Sequence, residues 1–360
     1  MKTKATSLTR IAIKKFRKNK IGIFSFWYIV LCGFIAVFAY AIAPDHSPNA
    51  NTMHLEIHTK HPFFSTKMLL QQKQKEQQTI LSKLFFGDKN TALETPINNA
   101  VTKNDTLTIQ LFSENKDIIK EKLIPLQRKN SIYQTTQKTF YLGTDKYGRD
   151  LLSRMLIGTR ISFFVGFIAV FLSLIIGISI GSIAGYFGGI ADKIIMWLIN
   201  ITWSIPTLLM VIAITLALGK GYWQVFIAVG LTMWVEVARV VRGQILSLKK
   251  EQYIEAANAL GYSNFRIITK HILPNIIGPV IVISAANFAA AILIESGLSF
   301  LGVGAQPPTP SWGGIIKDHY NYIVLGKAYL AIIPGLAIMS LVMAFMLVGN
   351  ALRDALDVKN

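Results

Sequence analysis

EQYIEAANALGYSNFRIITKHILPN, residues 251–275, is polar, rich in helix formers and carries a glycine near its middle, yet it lies between two long apolar runs. How this stretch is read decides the fold. Locally it predicts two short helices. Residues 250–260 favour the helix, and Gly261 suits the left-handed position just past a helix end. Ser263 is placed to cap a second helix over 264–272. Pro274 stops that helix and sits in the first turn of the apolar run that follows. Such a pair buries an apolar stripe and offers a charged face to water; the plain alternative is a solvated linker.

Outward from this stretch the chain is mostly apolar. Of 360 residues, 52% are hydrophobic and 16% charged, with a mean hydropathy of +0.44; a soluble chain carries about a quarter charged residues. Apolar runs at 21–43, 161–186, 194–218, 223–241, 276–300 and 328–348 are each close to the length that crosses a bilayer. They do not alternate in polarity as barrel strands do. The expectation is an all-α polytopic membrane protein with six transmembrane helices. Pro206 is expected to kink the third. Gly177, Gly181 and Gly185, four apart on the second, make a small-residue face, read as packing within the chain rather than a subunit interface.

Charge sets the orientation. Residues 1–20 hold eight Lys or Arg (Lys2, Lys4, Arg10, Lys14, Lys15, Arg17, Lys18 and Lys20) and no acid, which places the N-terminus in the cytoplasm. Ala41-Ile42-Ala43 has the form of a signal cleavage site, but the apolar part before it exceeds a signal core, so an uncleaved helix is expected. Six crossings bring the C-terminus back inside. After four, the 242–275 loop is cytoplasmic, and its Arg242, Lys249, Lys250, Arg266 and Lys270 agree. The net charge of +18 is thus accounted for by flanking basic residues and anionic lipid, without nucleic acid. Cys32, the single cysteine, leaves no intrachain disulfide and is read as packed in the core.

The chain divides into 1–43, a cytoplasmic tail with the first helix; 44–140, an extracytoplasmic insert; and 141–360, a five-helix core holding the 242–275 loop, with 44–160 as a whole expected outside the cytoplasm. The insert is rich in Lys, Gln, Asn and Thr. TLTIQLF (106–112) hints at a strand, and the Gln/Lys run at 71–78 reads as helix or disorder. His54, His58 and His61 are close in sequence, but no acid or cysteine cluster accompanies them; a solvated polar segment is preferred to a metal site.

Glu255-Ala256-Ala257, Gly261 and Leu273-Pro274 resemble the EAA loop of permease subunits in ABC importers. One departure is His271, where the motif's usual Ile is shifted to Ile272. LGTDKYGRDLLSR (142–154), with Gly143, Thr144, Asp145, Gly148, Arg149 and Asp150, resembles a segment of oligopeptide and dipeptide permease C subunits. So do ESGLSFLGVGAQPPTPSWGGII (295–316), with Glu295 and Gly302, and residues 334–357. The likeness is close over about 140–360, loose over 1–43 and absent over about 45–138.

It implies the type I importer permease fold and a set of partners. These are a homologous second permease subunit, two ABC ATPase subunits that dock on the loop, and an extracytoplasmic binding protein that delivers di- or oligopeptides. Ala256 and Ala257 would let an ATPase approach closely. Within the same fold the cargo could be nickel or another small solute.

The chain carries no ATP site of its own. Gly219-Lys220 and Gly326-Lys327 lack the following Ser or Thr and the phosphate-loop pattern, so ATP belongs to the partners. No catalytic residue, bound cofactor or metal is expected. Asp145, Arg149 and Asp150 are read as holding the entrance to the second helix, Glu295 as a buried hydrogen-bonding group at the GLSFLG turn, and Glu236 with Arg239 as a structural pair near the inner end of the fourth helix. A secondary transporter would show mid-membrane ionisable groups and an inverted repeat; a membrane-anchored sensor would not need an EAA loop.

Overall fold

The structure, a computed structural model, describes residues 8–71, 77–90, 92–103, 106–113, 121–125, 133–219 and 221–356. Helices in chain order are α1 (Leu8–Lys18), α2 (Lys20–Ile42), α3 (Ile80–Phe86), α4 (Leu151–Phe187), α5 (Gly189–Ser204), α6 (Thr207–Leu218), α7 (Tyr222–Leu248), α8 (Gln252–Ala259), α9 (Asn264–Ile267), α10 (Leu273–Leu301), α11 (Trp312–His319) and α12 (Tyr329–Leu356). Among the described residues α2, α4, α7, α12 and the stretch Asn264–Leu301 are long and apolar enough to cross a membrane. Helices suit that medium because they satisfy every backbone group internally. The structure divides into two compact units: residues 1–33, 162–305 and 336–360, and residues 34–161 and 306–335.

In the first unit the glycine face of α4 lies directly on α7. A Cβ at Gly177 would fall 2.5 Å from Val237 Cβ, one at Gly181 2.5 Å from the Ala238 carbonyl oxygen, and one at Gly185 2.9 Å from Ile245 Cβ. Backbones approach this closely only where side chains are absent. The glycines therefore serve packing within the chain.

Pro206 does more than kink its helix. It has no N–H to continue the ladder and it drives Ile205 to extended angles (φ −92°, ψ 126°). The result is a 92° bend between α5 and α6, where the sequence predicted one kinked span. The pair is one further span only if its two halves count together.

The second unit corrects the all-α expectation. It holds a five-stranded antiparallel sheet, β1 (Phe64–Gln71), β2 (Leu93–Lys103), β3 (Thr106–Leu111), β4 (Glu121–Pro125) and β5 (Tyr133–Phe140), in the order β4-β3-β2-β1-β5. The strand hint at 106–112 is β3, where Leu107 and Ile109 point inward. They pack with Leu69 of β1 and Ile97 of β2. Alternation in β3 is the period-2 signature of a half-buried strand; β5, YQTTQKTF, is too polar to display it. Most of the Gln/Lys run at 71–78 lies outside the described residues, as do Lys2 and Lys4.

The three histidines are held separately. His54 is buried, with Nε2 3.6 Å from Glu94 Oε2, contrary to its reading as solvated. The Nδ1 atoms of His58 and His61 bond the Leu55 and Pro62 carbonyls at 2.9 and 2.8 Å. Burial pushes the Glu94 carboxyl up, but the His54 hydrogen bond and the Lys138 ammonium, 2.6 Å away, outweigh it and hold the group below its usual range.

Candidate functional site

The 251–275 stretch forms a platform in the first unit. Ile254 and Ala257, three apart on α8, turn inward with Ile267, Ile272 and Ile276 against Val241 and Ile245 of α7. Gly261, at φ +75°, closes α8: its amide donates to the Asn258 carbonyl and that of Tyr262 to the Ala257 carbonyl, at 3.0 and 3.2 Å. These are the paired bonds of a Schellman cap. Ser263 caps α9, its side chain accepting from the Arg266 amide at 3.4 Å.

What this leaves outside is a face of Glu255, Ala256, Tyr253, Leu260 and Phe265; Leu260 is 71% and Phe265 77% exposed. Large apolar groups this open at the tip of a capped turn are unusual on a surface with no partner. Two sequence readings need correcting here. Ala257 is buried and packs inward rather than toward a partner, because it shares a helix face with Ile254. Pro274 does not stop the second helix. Residues Ile268–Ile272 form a π turn in which the Leu273 amide reaches back to the Ile268 carbonyl, and the chain passes from α9 into α10 without a break. A π turn absorbs the proline's missing donor by widening the ladder.

The sequence did not disclose the strut beneath the turn. The Tyr186 hydroxyl, at the end of α4, donates to Asn264 Oδ1 at 3.0 Å and lies 3.4 Å from Asn258 Oδ1, while Lys249 Nζ donates to the Tyr186 carbonyl at 2.7 Å. Arg266 stacks on Tyr262, which stacks on His271. One hydroxyl thus ties both short helices to a membrane helix. Tyr186→Phe should cost about 1 kcal/mol, the net worth of a hydrogen bond. A melting temperature within error of wild type in detergent would discard the strut.

The 142–154 motif builds a second constellation, in the other unit. Asp145 is fully buried: Oδ1 accepts the amides of Tyr147 and Arg149 at 2.8 and 2.9 Å, and Oδ2 takes Arg149 Nε at 2.6 Å with Arg154 Nε at 3.6 Å. Arg149 also donates to Asn51 Oδ1 at 2.9 Å. Asp150 caps α4 by accepting the Ser153 amide at 2.9 Å and the Ser153 hydroxyl; burial raises its carboxyl above the usual range despite those bonds. Thr144 Oγ1 accepts the Lys60 amide at 2.9 Å and donates to the Ile57 carbonyl. These residues clamp 45–61 against the start of α4. That is structural work, with no group aimed at a reacting atom.

His319, buried in the same unit, accepts the Lys146 amide at Nε2 (3.2 Å) and donates from Nδ1 to the Ile315 carbonyl (2.7 Å). A protonated ring would turn an N–H against the Lys146 N–H. Desolvation lowers its pKa despite raising contributions from the Ile315 bond, Asp145 and Asp318. With the folded value below the unfolded one of about 6.5, its contribution is complete above that pH. It is lost as pH falls toward the folded value, by up to about 1.4 kcal/mol per unit. Melting curves at pH 7.5 and 5.5 should show a larger drop for wild type than for His319→Gln.

Glu295 is buried and accepts the Ser299 hydroxyl at 2.7 Å, with Ser162 Oγ at 3.4 Å; Ser299 in turn accepts the Ala305 amide at 3.2 Å. Gly302 ends α10 at φ +82°. Glu236 and Arg239 form no ion pair, contrary to the sequence reading: the Arg239 guanidinium lies 3.5 Å over the Trp203 ring and 3.5 Å from Asn200 Oδ1. Because α7 runs to Leu248, Glu236 also sits near its middle rather than its inner end. Of the two Gly-Lys pairs, Lys327 donates to Thr59 Oγ1 at 2.5 Å and Lys220 lies outside the described residues.

Residues 177–359 match the family described as binding-protein-dependent transport system inner membrane component, and residues 7–59 match the N-terminal TM domain of oligopeptide transport permease C. Over 219 residues the chain is 41% identical to the glutathione transport system permease protein GsiD of Pectobacterium atrosepticum, covering 61% of this chain and 72% of that one. It is 41% identical over 219 residues to the dipeptide transport system permease protein DppC of Bacillus subtilis, covering 61% and 68%. It is 40% identical over 222 residues to the oligopeptide transport system permease protein OppC of the same organism, covering 62% and 72%.

Proposed function

Because this chain belongs to the family of binding-protein-dependent transport system inner membrane components, we propose that it is a C-type permease subunit of an ATP-driven peptide importer. It is a multi-pass membrane subunit and not the ATPase of its system. The relatives' names point to dipeptides, oligopeptides or glutathione as cargo rather than nickel.

The observation that carries the coupling mechanism is the capped α8–Gly261–α9 turn. It exposes Leu260 and Phe265 on a base packed into α7 and tied to α4. We place this turn in the cytoplasm, in a groove of an ABC ATPase subunit, with Glu255 and Ala256 at the contact and Gly261, Leu273 and Pro274 fixing its shape. Movement of the ATPases on ATP binding would tilt the turn, and the membrane helices attached to it would follow as rigid elements.

In this reading there are six spans, with α5 and α6 together forming the third. Both termini are cytoplasmic, and 44–140 lies outside the membrane, where the sheet faces the binding protein. A homologous second permease completes the path and two ATPase subunits complete the complex. Glu295 and Gly302 hold the outer end of α10. The test is reconstitution in liposomes with those partners. ATP-dependent uptake of labelled di- and tripeptides is expected, and its absence for every peptide tried, with the binding protein loaded, overturns the cargo.

A further inference from the structure

The first unit contains an ionisable group that the coupling mechanism does not use. Glu236 stands 14 residues into the 27-residue α7, about 21 Å from its start, inside the apolar run 223–241 and five residues from its end. It is exposed. Its carboxylate makes no hydrogen bond or ion pair among the described residues, and Arg239 is turned to Trp203 and Asn200. An acid left open in this way on a spanning helix marks a solute path or a partner's charge.

Its surroundings favour a path. Glu236 lines a cavity of about 170 Å³ with Thr202, Thr207 and Met210 from either side of the α5–α6 bend and Ala290 of α10. The last turn of α5 borders it through Thr202 and Trp203: the last carbonyls of a helix lack partners within it and carry the negative end of its dipole; of these Thr202 takes the Ile205 amide at 3.4 Å, and the helix stops at Ser204 with a 92° turn. Broken helices that expose carbonyl ends beside a charged group bind cations at membrane depth. The cavity also has a continuation. Val240 and Gln244, four and eight residues on from Glu236, share a second cavity of about 600 Å³ with Ala286 and Val282 of α10, four and eight residues back from Ala290. The two stations therefore follow one groove between the same pair of helices.

We propose that this groove is the chain's wall of the solute path, and that Glu236 with the open end of α5 receives a primary ammonium group, such as a peptide's N-terminus, in passage. This rests on the peptide reading and names a contact for it. The charge argues the occupant: a carboxylate and helix-end carbonyls together favour a cation, and the three N–H donors of a primary ammonium group suit such a set of acceptors.

The test uses the full complex, with the second permease, both ATPases and the binding protein. In a Cys32→Ala, Met210→Cys background, cationic 2-aminoethyl methanethiosulfonate should react at least about fivefold faster than the anionic 2-sulfonatoethyl reagent, after correction for their rates on a free thiol. E236Q should abolish that preference. Turnover with ATP and trialanine-loaded binding protein should slow the reaction. In the Cys32-containing complex E236Q should import trialanine about tenfold more slowly, while E236D, which keeps the charge, recovers uptake. Equal rates for the two reagents overturn the site. So does no reaction with either, which would mean that a residue of the second permease covers Glu236. A wild-type complex that imports no peptide overturns the peptide reading and this contact with it; uptake by E236Q at the wild-type rate overturns the contact alone.

Discussion

Gly148→Ala is expected to leave almost no folded protein in the membrane. A Cβ at this position would lie 1.7 Å from the His54 carbonyl oxygen and 2.5 Å from its carbonyl carbon. Both are backbone atoms, so no rotamer change makes room. The 45–61 segment would have to lift. With it go the His54 amide bond to the Tyr147 carbonyl (3.0 Å) and the Thr59 amide bond to the Asp145 carbonyl (2.9 Å). Asp145 would then no longer be held over Arg149 and Arg154, and two buried cations would lose their counter-charge. The summed loss should exceed about 4 kcal/mol, the range reserved for broken buried networks.

Gly188→Ala is the control. Gly188 also has positive φ, +67°, with ψ −152°, but nothing stands within 4 Å of its Cβ position, so only backbone strain of about 1–3 kcal/mol applies. Melting temperatures of the two purified variants should differ by about 4 °C or more, or Gly148→Ala should fail to accumulate. Equal melting temperatures would remove the crowding argument.

Gly261→Val is expected to do the opposite: to fold and to fail in coupling. No atom lies within 4 Å of the Gly261 Cβ position, so the substitution meets no wall. It meets the backbone: a β-branched residue at φ +75° is a genuine outlier and costs of order 1–3 kcal/mol. The cheapest relief is to leave the left-handed region, which opens the two bonds of the cap and changes the angle between α8 and α9. Binding-protein-stimulated ATPase activity of the reconstituted complex should drop at least about tenfold for a shift of that size. Asn, which tolerates the left-handed region, should retain most of it, and Ala should fall between. Stimulation by Gly261→Val equal to wild type would show that the turn's shape is irrelevant to coupling.

The parts of the molecule that could be read from the chain are those whose cause is local. Gly261 and Ser263 each announce a helix end through their own conformational preference, and the structure places both ends there. The glycine face of α4 was legible for the same reason, as was the strand at 106–112. What escaped depends on partners distant in sequence. Tyr186 is 78 residues from Asn264 and reads alone as one more aromatic at a membrane boundary. Ala257 and Ala256 are indistinguishable by type; only the direction of the Ile254 stripe separates the buried one from the exposed one. The sheet was hidden by composition, because β5 carries YQTTQKTF and is half open to solvent. Arg239 looked like a partner for Glu236 at three-residue spacing, but the aromatic face of Trp203 holds it instead.

The uninterrupted passage from α9 through the π turn into α10 has a mechanical meaning. Asn264–Leu301 is 38 residues long, about 57 Å at 1.5 Å per residue, and the exposed Phe265 stands at its foot. A rod of that length is a lever: a push that rotates its base by about 5° displaces its far end by about 5 Å, less what the interior Pro279 gives up in bending. Had Pro274 ended the helix, as the sequence suggested, there would be a hinge at that point and the stroke would be spent in bending it. The continuous ladder through the π turn carries the stroke past Pro274 and so sets the gain of the machine.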